Sequence, residues 1–498
     1  MELSEAIEIP RVNNVFMRKG PRPAQVGSLV LIGHHLIFSP NVQTPQDGGG
    51  EEFWIIVFEI PNWEECNAAG RSIETLSNII LDDGWKAFDS DEEFARLILR
   101  CGDAFRISSV NEGFAVCPSY PEKVIVPKGI GDDYLRISAT FRDGSRFPVL
   151  SYYHKSTKSS IMRCGQPLIG PTNRRCKEDE NILKSLLTVN RGAIIDTRAK
   201  QIAQNARSKG GGYESQMHYS HFRYMSFPIP RIREIHVALA KMVELCNDRQ
   251  VSCDRFVSRL AQASWLQCVS DSLNCAANVA QCVHCEGTPE VPVVVHGGEG
   301  TDTTLLATSL AQVILDPDAR TIRGFESLIE REWICAGHPF QLRNAHSAYA
   351  EGTITGPQES PVFLCFLDAV YQIIAQFPHS FEFGEEFLIF LFEHAYASEF
   401  GSFLGNNEMM KAELGVKRST VSLWSYVNNP EILRSFVNIL YEPRESVIWP
   451  SVAPQSIHVW ERLFFRWQSD WTEEDYLKKS SAQWRTKERE LISRALKQ

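Results

Sequence analysis

No apolar run in this chain comes near the roughly 18 residues that a membrane-crossing helix needs; the longest candidate, Phe387 to Phe392, is far shorter. Basic residues are not in excess either. Against 61 Asp and Glu stand 51 Lys and Arg, a net charge of −10, which argues against nucleic acid as a partner and leaves room only for a local basic patch. The opening residues MELSEAIEIPRVNN carry acidic side chains and no apolar core of signal-peptide length, so a cytoplasmic protein is expected. In that compartment 13 cysteines, an odd number, read as reduced thiols rather than a disulfide framework. Paired metal-binding motifs are missing too. Cys282-Val283-His284-Cys285 has ligand spacing, but no second cysteine pair lies within zinc-ribbon range. Cys268, Cys275 and Cys282 repeat along one helical face, as core residues would. Neither a metal nor a cofactor is expected.

What is present is patterned as α/β. With 498 residues, 43% hydrophobic and 22% charged, the chain should form two or three globular units. Gly27 to Ser39 predicts strand, tight turn and strand around Gly33, Phe53 to Phe58 another strand, and Trp63 to Leu76 a helix. Strand-length bursts follow at Phe105 to Ser108, Arg146 to Tyr153 and Gly192 to Arg198. Helical patterns occupy Glu178 to Thr188, Arg231 to Cys246 and, as one long helix, Phe256 to Cys285. Four more predicted helices run from Thr304 to Leu315, Thr321 to Ala336, Pro361 to Phe377 and Glu385 to Phe400. Strands alternating with helices argue for a mainly parallel sheet.

Between the last two groups lies Val291-Pro292-Val293-Val294-Val295-His296-Gly297-Gly298-Glu299-Gly300-Thr301-Asp302-Thr303-Thr304-Leu305, a short apolar strand running through glycines into an apolar helix. Such a helix N-terminus offers unpaired N–H groups and the positive end of the dipole to an anion. The loop holds no cysteine, lysine or arginine, and it lacks the Gly-Lys-Ser/Thr of a nucleotide-binding loop. Gly210-Gly211-Gly212 reads as a tight turn more readily than as a ligand loop.

Several spaced motifs resemble the myotubularin lipid phosphatases: Arg163-Cys164-Gly165-Gln166-Pro167-Leu168, Gly210-Gly211-Gly212-Tyr213-Glu214, Gly324-Phe325, Trp333, Gly337-His338-Pro339-Phe340, Arg343 and Phe377-Pro378. Phe392 to Ser398 and Ile448 to Ser456 resemble a catalytically inactive branch of that family. The resemblance implies a cysteine-phosphatase-like α/β domain with a central mixed sheet and many helices over residues 81–468. It also implies a small, incomplete PH-GRAM-like β domain over 1–80, and a charged helix over 469–498. Active members carry His-Cys-Ser-Asp-Gly-Trp-Asp-Arg-Thr in the loop. Here His296 and Asp302 are retained, Gly297 stands in place of the cysteine and Thr303 in place of the arginine. Gly298, Glu299 and Thr301 replace serine, aspartate and tryptophan, and Gly300 keeps its glycine.

Without a nucleophile or a guanidinium clamp, the loop should neither cleave a phosphate ester nor hold one tightly. His296 is expected to shape the loop, and Glu299 and Asp302 to oppose an anion. The expected function is therefore that of a pseudophosphatase, a regulatory subunit in a hetero-oligomer with an active myotubularin-type phosphoinositide 3-phosphatase. Self-association and a weak phosphoinositide contact on endomembranes are secondary expectations, and a non-catalytic phosphoinositide sensor is the alternative. Leu477, Trp484 and Leu491, spaced as one seam of a short coiled coil or as the single apolar stripe of a solvated helix, are the candidate partner-binding residues.

Overall fold

The computed structural model describes strand residues 11–19, 25–32, 35–40 and 56–59, and residues 84–187, 190–248, 251–284, 291–344 and 358–466. The expected helix from Trp63 to Leu76, Cys285, and the seam of Leu477, Trp484 and Leu491 lie outside these residues. No helix among the described residues is long and apolar enough to cross a membrane.

At the N-terminal end, β1 (Arg11–Lys19), β2 (Gln25–Ile32), β3 (His35–Pro40) and β4 (Ile56–Glu59) form an antiparallel sheet in the order β3-β2-β1-β4. Among the described residues it is open, with β3 and β4 at its edges. The two strands expected on either side of Gly33 are β2 and β3, paired antiparallel, while Gly33 itself lies outside the described residues. Strand β1 was not anticipated, because Asn13-Asn14 interrupts its alternation. Its register with β2 shifts between Val12 and Val15, where those two residues sit.

A two-stranded ribbon, β5 (Phe105–Ser108) and β6 (Val124–Pro127), precedes the main sheet. That sheet contains β7 (Val149–His154), β8 (Ser159–Cys164), β9 (Gly192–Asp196), β10 (Phe222–Ser226) and β11 (Val293–His296), in the order β10-β9-β11-β8-β7. Pairing is parallel from β10 to β8 and antiparallel only between β8 and β7, so the sheet is mixed. Every residue of β7, β8, β9 and β11 is buried, which explains the apolar bursts read at β7, β9 and β11; β8, Ser-Ser-Ile-Met-Arg-Cys, was not anticipated because its polar residues break the run.

Strand β11 lies in the middle of this sheet and feeds the helix Thr303–Leu315, whose residues from Thr304 onward are all buried. A helix apolar on every side must be surrounded. It packs between the helices Trp265–Val283 and Val362–Gln376, and an aromatic cluster extends outward through Trp333, Phe325, Phe363 and Phe366.

The helix expected from Phe256 to Cys285 is instead two helices, Cys253–Ala263 and Trp265–Val283. Ser264 breaks it by taking a left-handed conformation, φ +62°, while its carbonyl accepts the Cys268 N–H that opens the second helix. Helical spacing of apolar residues on both sides of Ser264 conceals such a break, although among the described residues of the first helix only Ala263 is buried. The helix over Thr321 to Ala336 also changes form, from α at Ile322–Ile329 to π at Glu330–Ile334.

Candidate functional site

The loop between β11 and the helix Thr303–Leu315 stands at the carboxyl end of a central parallel strand, where open α/β sheets bind ligands. Its glycines do different work. Gly300 has φ +84°, and a Cβ there would lie 2.6 Å from the Cys164 carbonyl oxygen, so only glycine fits. Gly298 is free of neighbours within 4 Å of where a Cβ would stand. At Gly297, in contrast, a Cβ would lie 2.6 Å from Thr197 Oγ1 and 2.9 Å from Thr303 Oγ1. Those two hydroxyls hydrogen-bond to each other at 2.7 Å. The space that a side chain at 297 would need is thus closed by a threonine pair.

Neighbouring elements fix the loop through its carbonyls. Gln166 N–H donates to Gly298 O at 2.8 Å, Arg146 Nη2 to Gly300 O at 3.1 Å, and His338 Nδ1 to Thr301 O at 2.9 Å. Arg146 also lies over the Tyr120 ring, 4.3 Å from its centroid.

Beneath the loop, His296 ends a fully buried polar chain. Its Nε2 lies 2.8 Å from Glu214 Oε2, and Glu214 Oε1 accepts from Arg142 Nη1 at 2.6 Å. Arg142 in turn donates to both Asp179 oxygens, which also accept from Ser138 and Tyr219. Burial opposes an imidazolium, but the Glu214 and Asp196 carboxylates raise the His296 pKa above its ordinary value. Burial likewise opposes the Glu214 carboxylate, and His296 and Arg142 overcome it, holding that pKa far down. His296 is therefore a structural strut, bonded to Glu214 beneath the loop.

Asp302 is equally committed. Arg343 donates to both its oxygens, and His338 Nδ1 lies 3.5 Å away. Burial alone would push the Asp302 carboxyl up, whereas Arg343 and His338 keep it below the usual range. The acid expected to repel an anion is thus already neutralised, and the loop, which has no basic residue of its own, receives a guanidinium from elsewhere in the chain.

These groups border a cavity of about 360 Å³ whose lining includes Arg198, Arg231, Glu299, Asp302, Thr303 and Arg343. All three arginines are engaged with carboxylates: Arg198 with Asp196, Arg231 with Glu234 and Arg343 with Asp302. Glu299 stands exposed at the rim, its carboxyl held above the usual range by partial enclosure and by Asp143 and Asp302. No thiol lines the cavity. Burial pushes the Cys164 thiol, beneath Gly300, up to about 12. The site can hold its own shape, but its lining carries no thiol and each of its arginines holds a carboxylate.

Glu214, Arg142 and Arg198 were not identified as site residues from the sequence, and Arg343 was identified only as part of a motif. Glu214 and Arg343 sit inside recognisable motifs, so position was signalled but partner was not. The Cys282-Val283-His284 segment follows the core reading at Cys268 and Cys275, both buried, while His284 Nδ1 lies 3.0 Å from His154 Nε2. Elsewhere Glu330, Cys335 and Glu408 come together at metal-ligand distances, but Lys411 and Lys417 stand beside Glu408 and supply the positive charge that an ion would bring.

Residues 70–412 match the family model described as a myotubularin-like phosphatase domain. The chain is 58% identical to myotubularin-related protein 9 of Caenorhabditis elegans, over 99% of this chain and 96% of that protein. It is 47% identical to myotubularin-related protein 9 of Homo sapiens, over 94% of this chain and 91% of the relative. A phosphatidylinositol-3,5-bisphosphate 3-phosphatase of Bos taurus is 36% identical over 78% of this chain and 59% of its own length. Matches of that extent, on a mixed sheet whose central strand delivers a glycine loop to a buried helix, make the chain a member of the myotubularin family.

Proposed function

We propose that this chain is a catalytically inactive myotubularin that acts as an adaptor or regulatory subunit, binding and stimulating an active myotubularin-type phosphoinositide 3-phosphatase. One observation carries the reading. Where active relatives place a cysteine and an arginine, this chain has Gly297, walled in by Thr197 and Thr303, and a Thr303 hydroxyl that is itself hydrogen-bonded. Phosphate transfer needs both a nucleophile and charge stabilisation of the transferring group. A fold that keeps the loop's shape but neither function is suited to work through its surface, and stimulation of a partner requires preferential binding to the partner's active state.

The sensor alternative finds less support at the loop, because each arginine around its cavity is already neutralised. Co-precipitation of the full chain with an active relative, together with that relative's phosphate release in the presence and absence of this chain, tests the proposal. A stable complex with faster turnover is expected; no complex and no change in rate would overturn it. Peripheral association with endomembranes would follow from the partner.

A further inference from the structure

Cys282-Val283-His284-Cys285 has ligand spacing but no second cysteine pair along the sequence. The fold supplies a partner of another kind from 130 residues away: His154 Nε2 lies 3.0 Å from His284 Nδ1. His154 is the last residue of β7, and His284 caps the helix Trp265–Val283, its own N–H donating to Ala280 O at 2.8 Å. The turn after β7 ties the two ends together, since Thr157 Oγ1 donates to Val283 O at 2.9 Å. The two rings meet edge to face, with centroids 5.2 Å apart and planes at 79°.

Three features of this contact suit a metal ion. Neutral imidazole binds metals through an unprotonated ring nitrogen, and here the facing nitrogens of two rings converge on one point. At the roughly 2.0–2.1 Å of a metal–imidazole bond, such a pair subtends about 90° at a shared ion. That is the angle between adjacent positions of a square-planar or octahedral ion, and it is too narrow for a tetrahedral one. The second feature is the anchoring of the buried ring from behind. Tyr152 Oη lies 3.3 Å from His154 Nδ1, the nitrogen that an ion at Nε2 leaves free, and a ligating histidine commonly has its other nitrogen held in this way. The third is access. His154 is buried, whereas His284 is half-buried and Ser156, whose Oγ lies 2.8 Å from His154 Nε2, is exposed, so the pair opens toward solvent on that side.

We propose that His154 and His284 together bind a divalent late transition-metal ion of square-planar or octahedral habit, such as nickel or copper, with water in its remaining positions. Without the ion, one ring must donate an N–H to the other. On binding, that proton moves to the same ring's other nitrogen, so both rings stay neutral and both facing nitrogens become ligands. The ion would join the end of a sheet strand to the end of a core helix. Neither histidine lines the cavity at the degenerate loop, and the site does not depend on the adaptor reading.

Calorimetric titration of the untagged, chelator-treated full chain with nickel tests the site. One equivalent should bind, with affinity falling at least roughly 10- to 100-fold in His284→Ala and in His154→Gln. His284→Ala, at a half-buried helix end, carries the test alone should His154→Gln unfold. Nickel should raise the melting temperature of the wild-type chain and not that of His284→Ala, because an ion bound only by the folded state stabilises it. Cys282→Ser should bind as the wild type does, and the chain loaded with one equivalent of cobalt should show no intense thiolate charge-transfer absorption. No nickel bound by the wild-type chain, affinity unchanged in His284→Ala, affinity lost in Cys282→Ser, or a strong cobalt–thiolate band would each overturn the proposal.

Discussion

Arg343 grips Asp302 through two parallel bonds, Nε to Oδ1 and Nη2 to Oδ2, both 2.9 Å long. Their side chains are 7% and 14% exposed, so water does little to screen the pair. Arg343→Ala would leave a buried carboxylate without its partner and should destabilise the domain by about 3–5 kcal/mol. Asp302→Asn/Arg343→Ala should lose clearly less than the sum of its single variants. Urea unfolding of the four proteins measures this, and additive losses would show that the pair is not coupled.

Restoring a cysteine at 297 should not restore activity. The Cβ of Gly297→Cys would meet Thr197 Oγ1 at 2.6 Å and Thr303 Oγ1 at 2.9 Å. Overpacking of this kind costs about 1–3 kcal/mol. Thr197→Ala/Gly297→Cys should recover part of that stability without releasing phosphate, since no guanidinium is added. Differential scanning calorimetry and a phosphate-release assay read the two effects separately, and phosphate release by Gly297→Cys alone would contradict the account of the loop.

Two glycines of one loop should respond in opposite ways. Gly298→Ala enters open space and should change stability by less than about 0.5 kcal/mol. Gly300→Ala must accept a left-handed φ and a clash with the Cys164 carbonyl, and should lower stability by at least about 1–2 kcal/mol. Equal melting temperatures for the two variants would mean that the loop backbone adapts freely.

The loop is flanked by histidines shifted in opposite directions. Burial pushes His338 down to about 4, whereas an unfolded histidine titrates near 6.5. Between those values the unfolded chain binds more protons, so His338 makes stability fall as pH drops from about 6.5 to 4, by up to about 3 kcal/mol. His296, raised above its ordinary value, contributes stability that is complete below about pH 6.5 and is lost as pH rises through its folded value. His338→Gln should flatten the acidic limb of the stability profile, and His296→Gln the limb above it. Unfolding free energies measured across this range check both signs.

Much of this was legible before any coordinates. The buried strands β7, β9 and β11 read as apolar bursts, while the equally buried β8 was hidden by its serines and arginine; the absence of cysteine and arginine from the loop was visible as Gly297 and Thr303. Partnerships were not. Nothing in local pattern ties Asp302 to Arg343 or His296 to Glu214, because such pairs are made by tertiary packing between distant segments. The break at Ser264 was hidden because helical spacing of apolar residues resumes beyond it, and β1 was hidden because Asn13 and Asn14 dilute its alternation at an irregular register. The glycine triplet looked like a turn. Its crowding against Gln166, Ile169 and Arg207 could be seen only once those side chains were placed.

The buried chain from His296 through Glu214 and Arg142 to Asp179 draws on segments far apart in the sequence. His296 and Glu214 stand 82 residues apart, and Arg142 and Glu214 72 residues apart. The loop's seat is therefore set by tertiary contacts with segments on both sides of β9, not by its own residues. This gives the chain a structural reason to hold a histidine at 296: without it, the buried Glu214 would keep Arg142 but lose one of its two hydrogen-bonding partners.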